Sequence, residues 1–200
     1  MAQALIRWGP LVMLLSAIAA LVGRSVWVAR VSGRSLYLFA SHDTAHDFVG
    51  AVFRRAVTVF VLFFLFRGLF PDSESAFGRV DWLASEPVRL SGLGLTLASA
   101  IWIVAGQVEM GCSWRIGIPE KDKPSLITSG LFSISRNPVF LGMIAMALGL
   151  FFASPTAITL MALTASWLGI QIQVRLEERH LREIFGSKYT AYCRRVRRWI

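Results

Sequence analysis

The stretch 138–174 decides the fold of this chain, and it reads PVFLGMIAMALGLFFASPTAITLMALTASWLGIQIQV. It contains two apolar runs, Pro138–Ala153 and Thr156–Val174, which only Ser154 and Pro155 separate. Neither run contains a charged residue, and each is close to the length that crosses a hydrocarbon core of roughly 30 Å. The stretch therefore predicts two membrane-spanning helices that form a tight hairpin.

The rest of the chain is also apolar, since 55% of the 200 residues are hydrophobic and 16% are charged. This composition is far from the average of soluble proteins. Three further apolar segments precede the hairpin, at about Leu5–Val28, Phe48–Phe70 and Val88–Val108. Gly23 and Arg24 interrupt the first segment, which leaves open whether it spans completely. We predict an all-α integral membrane protein with about five spans.

The distribution of charge predicts the orientation of these spans. With five spans, the first loop, the third loop and the C-terminal tail share one side and contain 17 of the 21 Lys and Arg residues. The positive-inside rule places that side in the cytoplasm and the N-terminus outside. The basic residues that give the net charge of +9 flank apolar segments and do not form a groove with stacking aromatic side chains. The sequence therefore favours contact with the lipid bilayer over binding of nucleic acid.

Two polar boundaries on this side could bind a charged small molecule. Asn137 and Pro138 are typical of a helix start, but a helix N-terminus beside Arg136 can also bind a carboxylate. Glu177 and Glu178 could be a solvated helix end paired with nearby arginines, or they could bind a cationic group. The residues alone leave both alternatives open.

Two other patterns have a structural interpretation. His42 and His46 are four residues apart and could bind a metal from one helix face, but no third ligand cluster accompanies them. We therefore favour a capping or substrate-loop role there and predict no metal site. Cys112 and Cys193 form neither a metal-ligand pair nor a disulfide framework. The tail 181–200 has apolar residues three or four apart and a basic opposite face, which predicts an amphipathic helix on the cytoplasmic leaflet.

An ordered set of motifs covers the second half of the chain. It comprises MGCSWR at 110–115, LITSGLF at 126–132, RNPVFLG at 136–142, Glu177-Glu178, Phe185-Gly186, Tyr189, Tyr192 and Arg198-Trp199. In this order the motifs resemble the isoprenylcysteine carboxyl methyltransferase and phospholipid methyltransferase superfamily. The resemblance implies that residues 109–200 form the catalytic region and that residues 1–108 are N-terminal transmembrane helices.

The resemblance also implies a cofactor and its binding residues. Members of the superfamily use S-adenosylmethionine, release S-adenosylhomocysteine, and enclose the cofactor on the cytoplasmic side. Residues matching the family's motifs imply a catalytic role for Arg136, Glu177 and Glu178. The implied cofactor-binding residues are Leu126, Gly130, Leu131, Phe132, Arg136, Asn137, Pro138, Phe140, Glu177 and Glu178. The chain departs from the family pattern in having Asn137 in place of histidine, and Phe132 and Phe140 in place of tyrosine.

The implied reaction is methyl transfer to a lipophilic acceptor that reaches the site from within the bilayer. A carboxylate acceptor, as in a prenylated cysteine substrate, is favoured, and a phospholipid amine is the alternative. A transporter or structural subunit on the same scaffold is a further alternative. The sequence favours an enzyme over a transporter because its charges gather at span boundaries, and it has no visible inverted repeat.

Overall fold

A computed structural model of the protein describes residues 2–32, 45–111 and 125–200. The described residues form helices, and their one β-type pairing is an isolated bridge between Arg79 and Thr156. The α-helices are α1 (Ala2–Ser32), α2 (Ala45–Leu69), α3 (Glu86–Met110), α4 (Pro138–Ala153), α5 (Ala157–Phe185) and α6 (Ser187–Arg195). Short 3-10 helices cover Pro71–Phe77, Asp81–Leu83 and Gly130–Ser133.

Among these helices, α1, α2, α3 and α5 are long and apolar enough to cross a membrane. The helix α4 contains no charged residue but has only 16 residues, or about 24 Å at 1.5 Å per residue. The five helices correspond to the five predicted segments, and Gly23 and Arg24 do not interrupt α1. The chain is an all-α integral membrane protein, as its sequence predicts.

The helices α1 and α2 run antiparallel and meet closely at one end of the bundle. The guanidinium Nε of Arg7 donates a hydrogen bond to the carbonyl of Gly68 at 2.8 Å. A Cβ atom at Gly68 would overlap the ring of Trp8, so only glycine allows this approach. The start of α1 is thereby joined to the end of α2.

Glycines also set the distance between α3 and α4, which run antiparallel. A Cβ atom at Gly92 would lie 2.5 Å from the backbone nitrogen of Ala153, and one at Gly142 would lie 2.7 Å from the side chain of Ile103. Small residues at such positions let membrane helices approach closely and increase their van der Waals contact. The end of α3 and the start of α4 consequently lie at the same end of the bundle.

The hairpin between α4 and α5 is confirmed, and its turn is fully hydrogen-bonded. The side chain of Thr156 accepts a hydrogen bond from the backbone nitrogen of Thr159, and the side chain of Thr159 accepts one from the backbone nitrogen of Thr156. This reciprocal pair is a capping box. The carbonyl of Pro155 also accepts a hydrogen bond of 2.8 Å from the backbone of Val80. The turn therefore begins α5 and attaches to the segment before α3.

The C-terminal third differs from the sequence prediction in two ways. The apolar run ends at Val174, but α5 continues through the glutamate pair to Phe185. Arg, Leu and Glu are good helix formers, so the change to polar sequence marks a change of solvent and not the end of the helix. The apolar face of α6 is turned inward, because Tyr189 and Tyr192 are buried within the protein instead of facing a leaflet.

The core of the bundle is built from aliphatic and aromatic side chains of α1 to α5. It includes Leu14, Phe60, Phe64, Ile103, Val139, Leu150 and Ala162. Both His42 and the side chain of His46 lie outside the described residues, as does Cys112. The topology places the end of α3, the start of α4 and the end of α5 together, and we call this the site end of the bundle.

Candidate functional site

The site end is organised around the carboxylate of Glu178, which is 1% exposed. Arg198 binds it with two parallel hydrogen bonds, from Nε at 3.1 Å and from Nη2 at 2.8 Å. Arg136 contacts Oε1 at 3.0 Å, and Arg182 contacts Oε2 at 3.5 Å. Three guanidinium groups thus surround one carboxylate, and the bidentate Arg198 pair is the strongest geometry of the three.

Asn137 joins the same group from the start of α4. It occupies the N-cap position and Pro138 is the first residue of the helix, as the sequence predicts. The Asn137 side chain does not cap the helix, however. Its amide nitrogen donates to Glu178 Oε1 at 3.4 Å and to the carbonyl of Arg198 at 3.3 Å. The motif at 136–138 and the glutamate pair, about forty residues apart in sequence, are therefore in contact.

Glu177 is next to this cluster but does not take part in it. Its side chain is half-buried and makes no hydrogen bond or ion pair with any residue that the structure describes. Arg136 also has an unused donor, because its Nε is buried and lacks a hydrogen-bond partner within the described part of the chain. One carboxyl group and one N–H donor of an ion-paired arginine therefore remain unused at the site end.

Gly130 allows the segment before α4 to close against α3. Its φ of +60° favours glycine, and a Cβ atom there would overlap the carboxylate of Glu109 at the end of α3. That carboxylate accepts a hydrogen bond of 2.8 Å from the backbone nitrogen of Leu131. Gly130 itself is exposed, so its backbone is also accessible from outside the protein.

Phe132 is buried where the segment 130–133 meets α6. Its carbonyl accepts a hydrogen bond of 2.6 Å from the hydroxyl of Tyr192. Burial raises the pKa of the Tyr192 hydroxyl to about 12, so this group stays protonated and remains a donor at neutral pH. Leu126 packs against the cluster formed by Tyr189, Tyr192 and Val196. The C-terminal region therefore covers the segment 126–132.

The structure brings most of the predicted site residues to one end of the bundle. Those that contact α3, α6, the tail or one another are Leu126, Gly130, Leu131, Phe132, Arg136, Asn137 and Glu178. Pro138 is buried at the start of α4, where its carbonyl accepts from the indole of Trp102, and Phe140 is half-buried in the same turn. The assignment of these residues to a cofactor stays a prediction.

The sequence analysis missed three residues that hold this site together, namely Glu109, Tyr192 and Arg198. Tyr192 and Arg198 occur among the ordered motifs, and that order was the available signal for them. The hydrogen bond to Glu178 raises the pKa of the Arg198 guanidinium. Glu109 had no such signal, because one glutamate at the end of an apolar helix is usually a solvated charge.

The sequence of the chain is similar to known proteins in two comparisons. The protein-S-isoprenylcysteine O-methyltransferase B of Arabidopsis thaliana is 25% identical to the chain over 117 residues. The alignment covers 58% of this chain and 57% of that protein, so the chain spans less than two thirds of the relative's length. The sequence model of the phospholipid methyltransferase family matches residues 88–188, which include most of α3, all of α4 and α5, and the glutamate pair. The chain therefore belongs to the phospholipid methyltransferase family.

Proposed function

We propose that this protein is a membrane methyltransferase that uses S-adenosylmethionine and acts on a lipophilic acceptor. The observation that carries the proposal is the buried contact of Arg136 and Asn137 with Glu178 at one end of an apolar helical bundle. Family membership and the name of the Arabidopsis relative support the same reaction class. By the positive-inside rule, this end of the bundle faces the cytoplasm.

The unpaired carboxyl group of Glu177 and the unused Nε donor of Arg136 fit the amino-acid part of this cofactor, which has an ammonium and a carboxylate. Glu177 is the carboxylate without a partner among the described residues, and we assign it to the ammonium. The buried Nε of Arg136 can donate to a carboxylate. Glu178 is already neutralised by arginines, so we assign it to holding the site together.

The cofactor, when bound, supplies a methyl group already activated on a sulfonium. The protein has to orient the acceptor in line with that methyl group and to exclude water. The helices α4 and α5 are apolar along most of their length and can admit a lipophilic acceptor from the side. We also assign Gly130, Leu131, Phe132 and Phe140, which lie before α4 or in its first turn, to binding the cofactor.

We favour a carboxylate as the methyl acceptor, as in a prenylated cysteine. A carboxylate is a nucleophile at neutral pH and needs no base, and the arginines at the site end would attract it. A phospholipid amine is the alternative, because Glu177 has no ion-pair partner among the described residues and could accept the proton that an amine must lose.

Binding of S-adenosylhomocysteine tests the cofactor assignment. Isothermal titration calorimetry on purified protein in lipid nanodiscs should give saturable binding with one site per chain. The variant Arg136→Ala should bind at least about tenfold more weakly, because a charge-assisted hydrogen bond contributes about 1.5–3 kcal/mol. The matched control Arg194→Ala removes an exposed arginine of α6 and should bind as the unmodified protein does. A folded protein that binds no S-adenosylhomocysteine would contradict the proposal.

Product chemistry separates the two acceptors. The protein is incubated with methyl-labelled cofactor and either an S-farnesylated cysteine derivative or vesicles that contain phosphatidylethanolamine. Methylation of a carboxylate gives an ester, which alkali cleaves to labelled methanol, whereas N-methylation gives an alkali-stable product. We expect alkali-labile label from the farnesylated compound. Alkali-stable label in the lipid would establish the amine alternative instead.

A further inference from the structure

The chain that follows α6 crosses the site end and contacts both of its motifs. We call residues 196–200 the C-terminal strap. The carbonyl of Arg197 accepts a hydrogen bond of 3.0 Å from the backbone nitrogen of Arg136. The carbonyl of Arg198 accepts from the hydroxyl of Ser135 at 3.2 Å and from the side chain of Asn137 at 3.3 Å. The strap is therefore bonded along the segment that leads into α4.

The side chain of Arg198 extends from the same residue to the other motif. Its two hydrogen bonds engage both oxygens of Glu178 on α5. The main chain of this residue thus contacts the segment before α4 while its side chain contacts α5. Within the described residues, the same two segments also meet directly through Arg136 and Asn137.

Buried side chains anchor the start of the C-terminal strap to α6. Val196 is 8% exposed and packs with Tyr189 and Tyr192, which are 1% and 2% exposed. Tyr192 is in turn hydrogen-bonded to the carbonyl of Phe132. Because the strap is anchored at this point, Arg198 approaches Glu178 from a defined direction.

Loss of the Arg198 side chain would leave the Glu178 carboxylate with fewer partners to fix its orientation. Of the partners that the structure describes, Oε1 would keep Arg136 and Asn137, but Oε2 would keep only Arg182, which is half-exposed and 3.5 Å away. The terminal torsion of a glutamate has a broad energy minimum, so a carboxylate held mainly through one oxygen can rotate. Arg136 and Asn137 bind that carboxylate and would lose their fixed positions with it.

We propose that Arg198 is a positioning residue, which holds Arg136 and Asn137 in their ligand-binding arrangement by fixing Glu178. This inference rests on the proposed function, since the ligand in question is the methyl donor. It adds the C-terminal strap to the site, so that the site comprises the segment before α4, the end of α5 and the strap. Arg198 does not itself touch the ligand.

Two measurements on the full chain test this inference. The first is calorimetric binding of S-adenosylhomocysteine to Arg198→Ala, Arg198→Lys, Glu178→Gln and the double variant Glu178→Gln/Arg198→Ala. We expect Arg198→Ala to weaken binding at least about tenfold. Arg198→Lys should lie between it and the unmodified protein, because lysine cannot form the bidentate pair. In the Glu178→Gln background, Arg198→Ala should weaken binding little further. Arg198 acts by holding the Glu178 carboxylate, and that carboxylate is already absent in this background.

The second measurement needs no ligand. Hydrogen–deuterium exchange at the backbone amides of Arg136 and Asn137 should be at least about tenfold faster in Arg198→Ala, because these amides depend on the strap and on Ser135. Exchange in the turn between α4 and α5 should be unchanged. The control Arg194→Ala also removes one positive charge, but from α6, and it should change neither the affinity nor the exchange rates.

The outcomes separate this inference from the proposed function. If the unmodified protein binds no S-adenosylhomocysteine but exchange accelerates locally in Arg198→Ala, the strap positions the site and the proposed function is wrong. If binding is normal and Arg198→Ala leaves both affinity and exchange unchanged, the inference is wrong. An equal loss of affinity in both Glu178 backgrounds would also overturn it, because Arg198 would then act without Glu178. Should Arg198→Ala fail to fold, Arg198→Lys decides, and unmodified affinity in that variant overturns the inference.

Discussion

Among the residues that the structure describes, two buried glutamates lie at opposite ends of the bundle, and they differ in what is left unpaired around them. Glu74 is 5% exposed and binds Arg67, Arg89 and the hydroxyl of Ser154. Glu178 is 1% exposed and binds three arginines and an asparagine. About 24 Å of α4 separates the two ends, because Ser154 follows that helix and Asn137 precedes it.

The group around Glu74 is complete. Arg67 also donates a hydrogen bond to the carbonyl of Ile6. The partners of Glu74 and Arg67 come from the starts or ends of α1, α2, α3 and α4. Around Glu178, by contrast, Glu177 and the Nε of Arg136 have no partner among the described residues. Buried charges are stabilising only when they are paired and hydrogen-bonded, so a complete group indicates a structural role and an incomplete one indicates a binding role.

The largest effects are expected when either glutamate is removed. We expect both Glu74→Ala and Glu178→Ala to lower the free energy of unfolding by about 3–5 kcal/mol, because each leaves buried arginines without their anion. Only Glu178→Ala should abolish binding of S-adenosylhomocysteine. Thermal unfolding and calorimetry on the same samples measure the two effects. Loss of binding in folded Glu74→Ala would show that the two groups are not functionally distinct.

Acid should destabilise the protein through Glu74. Burial alone would raise the pKa of this carboxyl, but hydrogen bonds from Arg89 and Ser154 and the charges of Arg67 and Arg89 lower it to about 2. A lowered pKa stabilises the folded state above the unfolded value of about 4.5, and this contribution disappears as the pH falls toward 2. The full contribution is about 3 kcal/mol, and more than half of it should be lost by pH 3.

Thermal unfolding between pH 7 and pH 3 measures this effect against the variant Glu74→Gln. The variant should be less stable at pH 7, and the difference between the two proteins should shrink as the pH falls. A difference that is constant over this range would mean that the ionised carboxylate of Glu74 does not stabilise the fold.

A smaller effect should come from the unpaired member of the glutamate pair. We expect Glu177→Gln to weaken binding of S-adenosylhomocysteine about tenfold, or about 1.4 kcal/mol, because the ammonium loses its anionic partner. Stability should stay the same or increase, since no ion pair with a described residue is broken. The control Glu183→Gln makes the same change at an exposed position of α5 and should leave binding unchanged. Normal affinity in Glu177→Gln would assign the ammonium to another group.

The smallest effect should come from the hydroxyl of Tyr192. The variant Tyr192→Phe removes one hydrogen bond to Phe132 and should lower the free energy of unfolding by about 1 kcal/mol. Its ring remains to pack with Tyr189 and Val196, so affinity for S-adenosylhomocysteine should change less than twofold. Chemical or thermal unfolding of the variant beside the unmodified protein checks this value, and a loss above about 3 kcal/mol would contradict it.

Much of the fold could be predicted because the bilayer imposes simple rules on sequence. Uncharged runs of sufficient length form spanning helices, and α4 begins and ends where its apolar run does. The end of α5 could not be predicted in this way, since Glu and Arg continue a helix as readily as Leu does. The inward face of α6 was missed for a similar reason, because an apolar stripe does not specify whether protein or lipid covers it.

The candidate site could be predicted in part. The ordered motifs pointed to Arg136, Asn137 and the glutamate pair, and the structure brings Arg136 and Asn137 to Glu178. The different surroundings of Glu177 and Glu178 could not be predicted from two adjacent identical residues. Successive positions on a helix are about 100° apart, so the packing around α5 buries one carboxylate among arginines and leaves its neighbour outside that group.

The sequence by itself determined the class of the protein, its apolar segments and the two polar motifs, because hydropathy, helix length and motif order are properties of the linear chain. Only the tertiary structure decided that Glu178 is held by arginines from three places in the chain and that the C-terminal strap crosses the site. It also decided that Glu74, in the short 3-10 helix Pro71–Phe77, anchors the opposite end. The physical reason is that a buried charge takes whichever partners the packing of the helices brings to it.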